Sequence, residues 1–269
     1  MSLWIKGLSR GIAEHQLFLA ESSGTREVVR VFNVGADQLD ADDAYTAPSG
    51  EQMINVAYVA ESHSLFVATL KTDERVVRVR SLLHTNGQWN VSNLTQFISS
   101  MFGDIFLQIL LDGTFFWSQW DTEVIHVCDV YSDRTLRNCE SIPLQAKHYG
   151  FDAQLLRNER RIVVALQDGS VALMRVHTMP FAFTEISRVN LTGARIPMFC
   201  DNGLLVKVES GYNRVKSEAV SFTITDGHLH RYNQLIPRGA LNIVRWLYVD
   251  GTVFAWNYHS DDLIIFNSS

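Results

Sequence analysis

Residues 161–176 read RIVVALQDGSVALMRV, two runs of β-branched and aliphatic residues joined by Asp168-Gly169. Each run is too short for a stable helix and is rich in Val, Ile and Leu, so with the turn pair between them the segment predicts a β-hairpin. The Asp-Gly pair supplies the positive backbone angle that a tight turn needs. Five similar pairs punctuate the chain: Asn86-Gly87, Asp112-Gly113, Asn202-Gly203, Asp226-Gly227 and Asp250-Gly251. Helical periodicity is nearly absent elsewhere, which predicts an all-β protein.

The same hairpin recurs outward in both directions. LFLAESSGTREVVRVFNV starts at 17, SLFVATLKTDERVVRVRSLL at 64, TFFWSQWDTEVIHVCDV at 114, LLVKVESGYNRVKSEAVSFTI at 204 and TVFAWNYHSDDLIIFN at 252, a spacing of about 43–50 residues. An apolar segment precedes the later hairpins (INVAYVAES, DIFLQILLDG, FDAQLLRNER, IPMFCDNG, NIVRWLYVDG), as an innermost strand should. A half-polar one follows most of them (QWNVSNL, TLRNCESIPL, FTEISRVNL, HLHRYNQLI), as an outer strand should. Four antiparallel strands repeated at this period predict a β-propeller of six four-stranded blades over residues 1–269 as a single domain, with a seventh, degenerate blade left open. The last unit stops at its third strand, and SLWIKGL (2–8) is expected to pair there and close the ring.

These units resemble the WD-repeat propeller family across essentially the whole chain. In that family the third strand of a blade ends in Trp-Asp. Here Cys128-Asp129 (in HVCDV) and Phe32-Asn33 (in RVFNV) stand at that position, and Met174-Arg175 replaces it in the 161–176 unit. Asp168 matches the family's turn aspartate, and His148 lies where its Gly-His histidine would be, so the resemblance implies a structural link between these two. The literal Trp120-Asp121 falls in the second strand of its unit and is set aside. WD-repeat-like propellers bind peptides or partner subunits on loop-bearing faces, so the resemblance implies a non-catalytic scaffold or adaptor within a multi-protein complex.

Composition bounds the remaining classes. The chain is 46% hydrophobic, 11% aromatic and 19% charged with five prolines, which excludes disordered and collagenous classes. The formal net charge of −6 argues against wholesale nucleic-acid wrapping. Arg75, Arg160, Arg161, Arg195 and Arg238 fall at inter-strand turns, so a locally basic face and an RNA-associated accessory role stay as an alternative. No stretch approaches the length of a membrane span. No signal peptide is read, and Cys128, Cys139 and Cys200, an odd number without CxxC spacing, are expected to be reduced thiols of a cytoplasmic or nuclear protein, although Cys128 and Cys139 fall on strands placed side by side and could bridge in an oxidising setting. The sequons at Asn90, Asn93, Asn190 and Asn267 are read as chance.

No cofactor motif is found: phosphate-loop and dinucleotide strings are missing, and no hydrolase nucleophile is read. His228 and His230 could form a metal pair but lack a third ligand nearby, so no metal is expected. A propeller enzyme of hydrolase or lactonase type remains the other alternative, should Asp112, Asp168, Asp250 or His148 converge on a central channel. Two segments are candidate partner-binding sites. ESGYNRVKSEA (209–219) projects Tyr212, Asn213, Arg214 and Lys216, and the acidic stretch 36–45 carries Asp40, Asp42 and Asp43, expected as a loop. Trp89, Trp117, Trp120, Trp246 and Trp256 are assigned to core packing.

Overall fold

The computed structural model describes residues 4–10, 16–22, 26–33, 41–59, 63–71, 73–98, 105–110, 112–131, 133–156, 159–200, 203–210, 216–235, 243–249, 252–257 and 262–267. All regular structure among them is β. The first sheet runs β1 (Trp4–Arg10), β2 (Gln16–Ser22), β3 (Glu27–Asn33), β4 (Ala41–Thr46), and the second β5 (Glu51–Val59), β6 (Ser64–Lys71), β7 (Val76–Thr85), β8 (Gln88–Ile98). The third comprises β9 (Ile105–Ile109), β10 (Thr114–Gln119), β11 (Val124–Val130) and β12 (Leu136–Pro143). The fourth is built of β13 (His148–Leu156), β14 (Glu159–Leu166), β15 (Ser170–His177) and β16 (Ala182–Asn190), and the fifth of β17 (Ala194–Cys200), β18 (Gly203–Ser210), β19 (Lys216–Thr225) and β20 (His228–Leu235). The sixth has three described strands, β21 (Ile243–Val249), β22 (Thr252–Asn257) and β23 (Asp262–Asn267). Every sheet is an antiparallel meander in chain order.

The chain forms two compact units, Met1–Gln119 with Val127–Cys139, and Trp120–His126 with Glu140–Ser269. Within the first, β1 packs on β5 and β5 on β9; within the second, β13 packs on β17 and β17 on β21. First strands are therefore the innermost, as the apolar segments ahead of each hairpin predict. The cores lie between consecutive sheets. Phe18, Val29, Val56, Leu65 and Leu82 join the first sheet to the second, Phe66, Ile105, Phe115 and Cys128 the second to the third, and Val163, Leu173, Leu204 and Phe222 the fourth to the fifth.

A repeat appears in the backbone that residue identity does not show. The second and third strands of a sheet pair without interruption wherever their register is described. The first strand carries one extra residue at Lys6, Ile54, Tyr149, Arg195/Ile196 and Val244, whereas β9 pairs regularly with β10. The fourth carries one at Ala44, Ser92, Ile186 and Tyr232. Bulges of this kind add local twist and re-aim side chains. Regular central hairpins flanked by bulged strands explain why the hairpins give the clean period in the sequence.

Three expectations are corrected. Residues 4–10 are the first strand of the first sheet, with Leu8 opposite Leu19 and Arg10 opposite Leu17. Pairing across a five-residue connection costs far less closure entropy than pairing with a strand more than 200 residues away. Residues 41–46, expected in an acidic loop, form β4, because Asp43 sits opposite Arg30 and ion-pairs with both Arg30 and Arg26. Cys128 and Cys139, expected as thiols, form a disulfide across the neighbouring strands β11 and β12, with Cα atoms 4.1 Å apart. Cys200 lies outside it.

The Asn-Gly and Asp-Gly turns form as expected at four described positions. Asn86-Gly87 and Asp226-Gly227 have positive φ at both residues, the two-residue turn that suits a twisted hairpin. Asp112 and Asp168 instead accept the backbone N–H and the hydroxyl of the residue two further on, Thr114 and Ser170, at 2.6–3.0 Å.

Inner strands are also tied by side chains. The Asn55 amide donates from β5 to the Leu107 carbonyl on β9 at 3.4 Å, and the Asp152 carboxylate on β13 accepts the Phe199 N–H of β17 at 2.7 Å. Burial pushes the Asp152 carboxyl up to about 6, against the lowering effect of the Phe199 and Ala153 N–H groups. With the folded value above the unfolded one, the protonated form favours folding. That stability is complete below about pH 4 and is lost as pH rises through 6. Between pH 4 and 7 the wild type is expected to lose roughly 2–3 kcal/mol relative to Asp152→Asn, read by urea denaturation at each pH.

Candidate interaction face

The turn between β10 and β11 holds the literal Trp120-Asp121 pair, and it is locked to the start of β13. Asp121 N–H donates to the His148 carbonyl at 3.0 Å, His148 N–H to the Thr122 carbonyl at 3.0 Å, and Leu144 N–H to the Glu123 carbonyl at 2.7 Å. The Asp121 carboxylate accepts the Gln167 amide and, at 3.3 Å, the Lys147 ammonium. Those two partners hold its pKa below the usual carboxylate range.

Immediately beside this turn the bulges of β13 and β17 aim two side chains at one another. Tyr149 is the extra residue between His148 and Gly150, and Arg195 shares with Ile196 the bulge opposite Lys207. The Arg195 guanidinium stands 3.6 Å over the Tyr149 ring, close enough for a cation–π contact, and the Trp120 ring lies 6.2 Å from Tyr149. Arg195 Nε then donates to Glu209 at 2.8 Å, and Lys207 Nζ donates to the same carboxylate at 2.9 Å. Burial raises the Glu209 pKa, but the Lys207 charge and the hydrogen bonds from Arg195 and Lys207 outweigh it and hold it low. Trp120, Tyr149, Arg195 and Glu209 thus form a continuous, partly buried ladder. Glu209 is also the first residue of ESGYNRVKSEA, so the ladder leads directly into that hairpin.

Of the hairpin's candidate residues, Tyr212, Asn213 and Arg214 lie outside the described residues; Lys216 opens β19, opposite Ser210. Asp40 also lies outside, whereas Asp42 and Asp43 are exposed on β4, in the other compact unit from the ladder. His148 is fully buried, its ring 3.4 Å from the Thr122 hydroxyl, and burial pushes it down to about 4. The Asp168 carboxylate is occupied by Ser170 and by Arg188 at 3.0 Å. Among the turn arginines, Arg161 is paired with Glu159 and Arg195 with Glu209, which neutralises much of the basic face that the sequence suggests. Arg75 is exposed, and Arg238 and Asp250 lie outside the described residues. His228 and His230 are exposed on β20, and no three metal-ligating side chains gather among the described residues.

One string escapes the sequence reading: Gly7-Leu8-Ser9-Arg10-Gly11 spells G-x-S-x-G. Ser9 sits in β1 opposite Phe18, in an antiparallel ladder rather than at the strand-to-helix turn that exposes a nucleophile. The ladder of Trp120, Tyr149 and Glu209 was missed for a different reason. Its members come from three separate connections, and only the bulges bring them together.

Consecutive four-stranded meanders packed through their first strands define the class: the chain has the β-propeller fold. No protein-family model and no curated protein matches the sequence. Solved structures do match over nearly its whole length. They include a protein from Lactobacillus plantarum (14% identity, 98% of this chain and 80% of that one, TM-score 0.71) and a proposed 6-phosphogluconolactonase from Bacteroides fragilis (11%, 97% and 79%, 0.68). Another is the C-terminal WD40 domain of Sif2 (15%, 98% and 72%, 0.56). At such identities the likeness shows the fold alone.

Proposed function

We propose that the protein is a non-catalytic scaffold that holds other proteins of a complex through Trp120, Tyr149, Arg195 and Glu209, together with the 210–219 stretch that follows Glu209 in the sequence. The observation that carries this reading is the Trp120–Tyr149–Arg195–Glu209 ladder. Trp, Tyr and Arg are the residue types that dominate binding energy at protein interfaces, the two aromatics because they offer large contact area with few rotatable bonds and Arg because its planar guanidinium both stacks and donates several hydrogen bonds. Here all three are partly buried, and two are fixed in place by bulges and an ion pair, so little ordering entropy is lost on binding. The likeness to a WD40 domain agrees with this reading.

The test is purification of tagged protein from its native cells at moderate salt, with mass spectrometry of what stays bound. Stoichiometric protein partners are expected with the wild type. Loss of the same partners is expected with Tyr149→Ala/Arg195→Ala and with Tyr212→Ala/Arg214→Ala/Lys216→Ala, each checked for an unchanged melting temperature. Recovery of the wild type alone, or partners undiminished in both variants, would sink the proposal.

A further inference from the structure

The outer strand of the second sheet differs from its counterparts. β8 is eleven residues long, roughly 36 Å at the rise of an extended chain, and is the terminal strand of its sheet. Its outward row of backbone N–H and C=O groups has no strand beside it in that sheet. Open edges invite pairing with another chain, and proteins commonly guard them with charge. The other four-stranded sheets follow that rule: β4 carries Asp42 and Asp43, β12 Arg137 and Glu140, β16 Glu185 and Arg188, and β20 Arg231. β8 carries none, and the sequence holds no Asp, Glu, Lys or Arg from 81 to 103.

Apolar exposure points to the same strand. Of the five large hydrophobic residues exposed among those described, Val91 (53%) and Leu94 (48%) lie on β8. A third, Tyr131, stands two residues from Asp133, whose carbonyl accepts the Asn93 side-chain amide. The bulge at Ser92 does not account for the difference, because β4, β16 and β20 have one too. In β8 the Ser92 hydroxyl donates across to the Ser81 carbonyl of β7 at 3.0 Å.

We infer that β8 pairs antiparallel with β8 of a second copy of this chain, joining two sheets edge to edge across a two-fold axis. Charge selects this occupant. Two-fold pairing sets each residue of an edge against the same short stretch of its copy, so a charged edge repels itself, as two β4 strands with adjacent aspartates would. An edge of Gln, Asn, Ser and Thr with Val91 and Leu94 meets its copy without like charges and covers both apolar residues.

The test is sedimentation of the full-length protein up to roughly 100 μM, a concentration that detects even weak self-association. The wild type is expected as a dimer. Val91→Lys/Leu94→Lys and Val91→Glu/Leu94→Glu are each expected to be monomers with unchanged melting temperature, since exposed substitutions alter folding little. An equimolar mixture of the two variants is expected to restore the dimer, a result that misfolding would not give. A monomeric wild type, or a dimer that persists in both variants alone, overturns the inference; the former would point to a strand from another protein.

Discussion

Glu51→Ala is expected to remove about 3–5 kcal/mol of stability, a large share of the 5–15 kcal/mol that holds a typical domain together. Glu51 opens β5 with its carboxylate almost wholly buried. It accepts two hydrogen bonds from Arg80 at 2.7 and 2.9 Å, one from Thr69 at 2.6 Å and one from Arg78 at 2.5 Å. Burial pushes its pKa up, but those donors and the Arg80 charge prevail and bring it down to about 2. Removing the carboxylate strands the Arg80 guanidinium, 8% exposed, with Thr69 at 2.8 Å and the Tyr45 ring face 5.9 Å away. An uncompensated buried cation is the costly outcome, not the lost bonds themselves. Accordingly Glu51→Leu/Arg80→Met, which removes both charges, is expected to be more stable than Glu51→Ala. Urea denaturation of the three proteins at pH 7 provides the comparison, and a double variant less stable than the single one would refute this account.

Gly193→Ala is expected to cost roughly 3 kcal/mol, assembled from two separable parts. Gly193 has φ +85°, and a Cβ there would lie 2.2 Å from the Glu209 carbonyl oxygen. The Gly193 carbonyl also accepts the Glu209 N–H at 2.9 Å, so neither strand can retreat without breaking that bond. Gly50 separates the parts, because its φ is +82° with nothing within 4 Å of the Cβ position. Gly50→Ala is expected to cost only about 1 kcal/mol, the conformational share. Thermal unfolding of both variants reads the difference, and equal losses would show that the close approach to Glu209 is unimportant.

The central hairpins are readable from sequence because their two strands pair in strict alternation, so apolar periodicity maps directly onto buried faces. The segments that flank them are harder. A bulge breaks the alternation within β4, β13 and β17, so Asp43 reads as loop and Tyr149 carries no periodic signal. The assignment of 2–8 to the last sheet failed because several edges could accept one apolar strand; only the cost of chain closure decides among them. The strand pattern places Cys128 and Cys139 side by side, but an odd number of cysteines without CxxC spacing reads as free thiols, and only the 4.1 Å Cα separation decides for the bond. The open edge at β8 is signalled by an uncharged stretch, whose meaning depends on knowing which strand ends the sheet.

The extra residue in the outer strands β4, β8, β16 and β20 also governs how these sheets tolerate change in length. Side chains along a strand alternate between faces, so the insertion at Ala44, Ser92, Ile186 or Tyr232 resets the parity of everything beyond it. Losing Ile186 alone would leave a regular ladder in which Ser187 still faces Leu173 and Glu185 still faces Met174, so Phe183, Thr184 and Glu185 would keep their faces. A single loss is therefore absorbed at these four positions, whereas one elsewhere in the strand acts on its far half as a frameshift acts on a message.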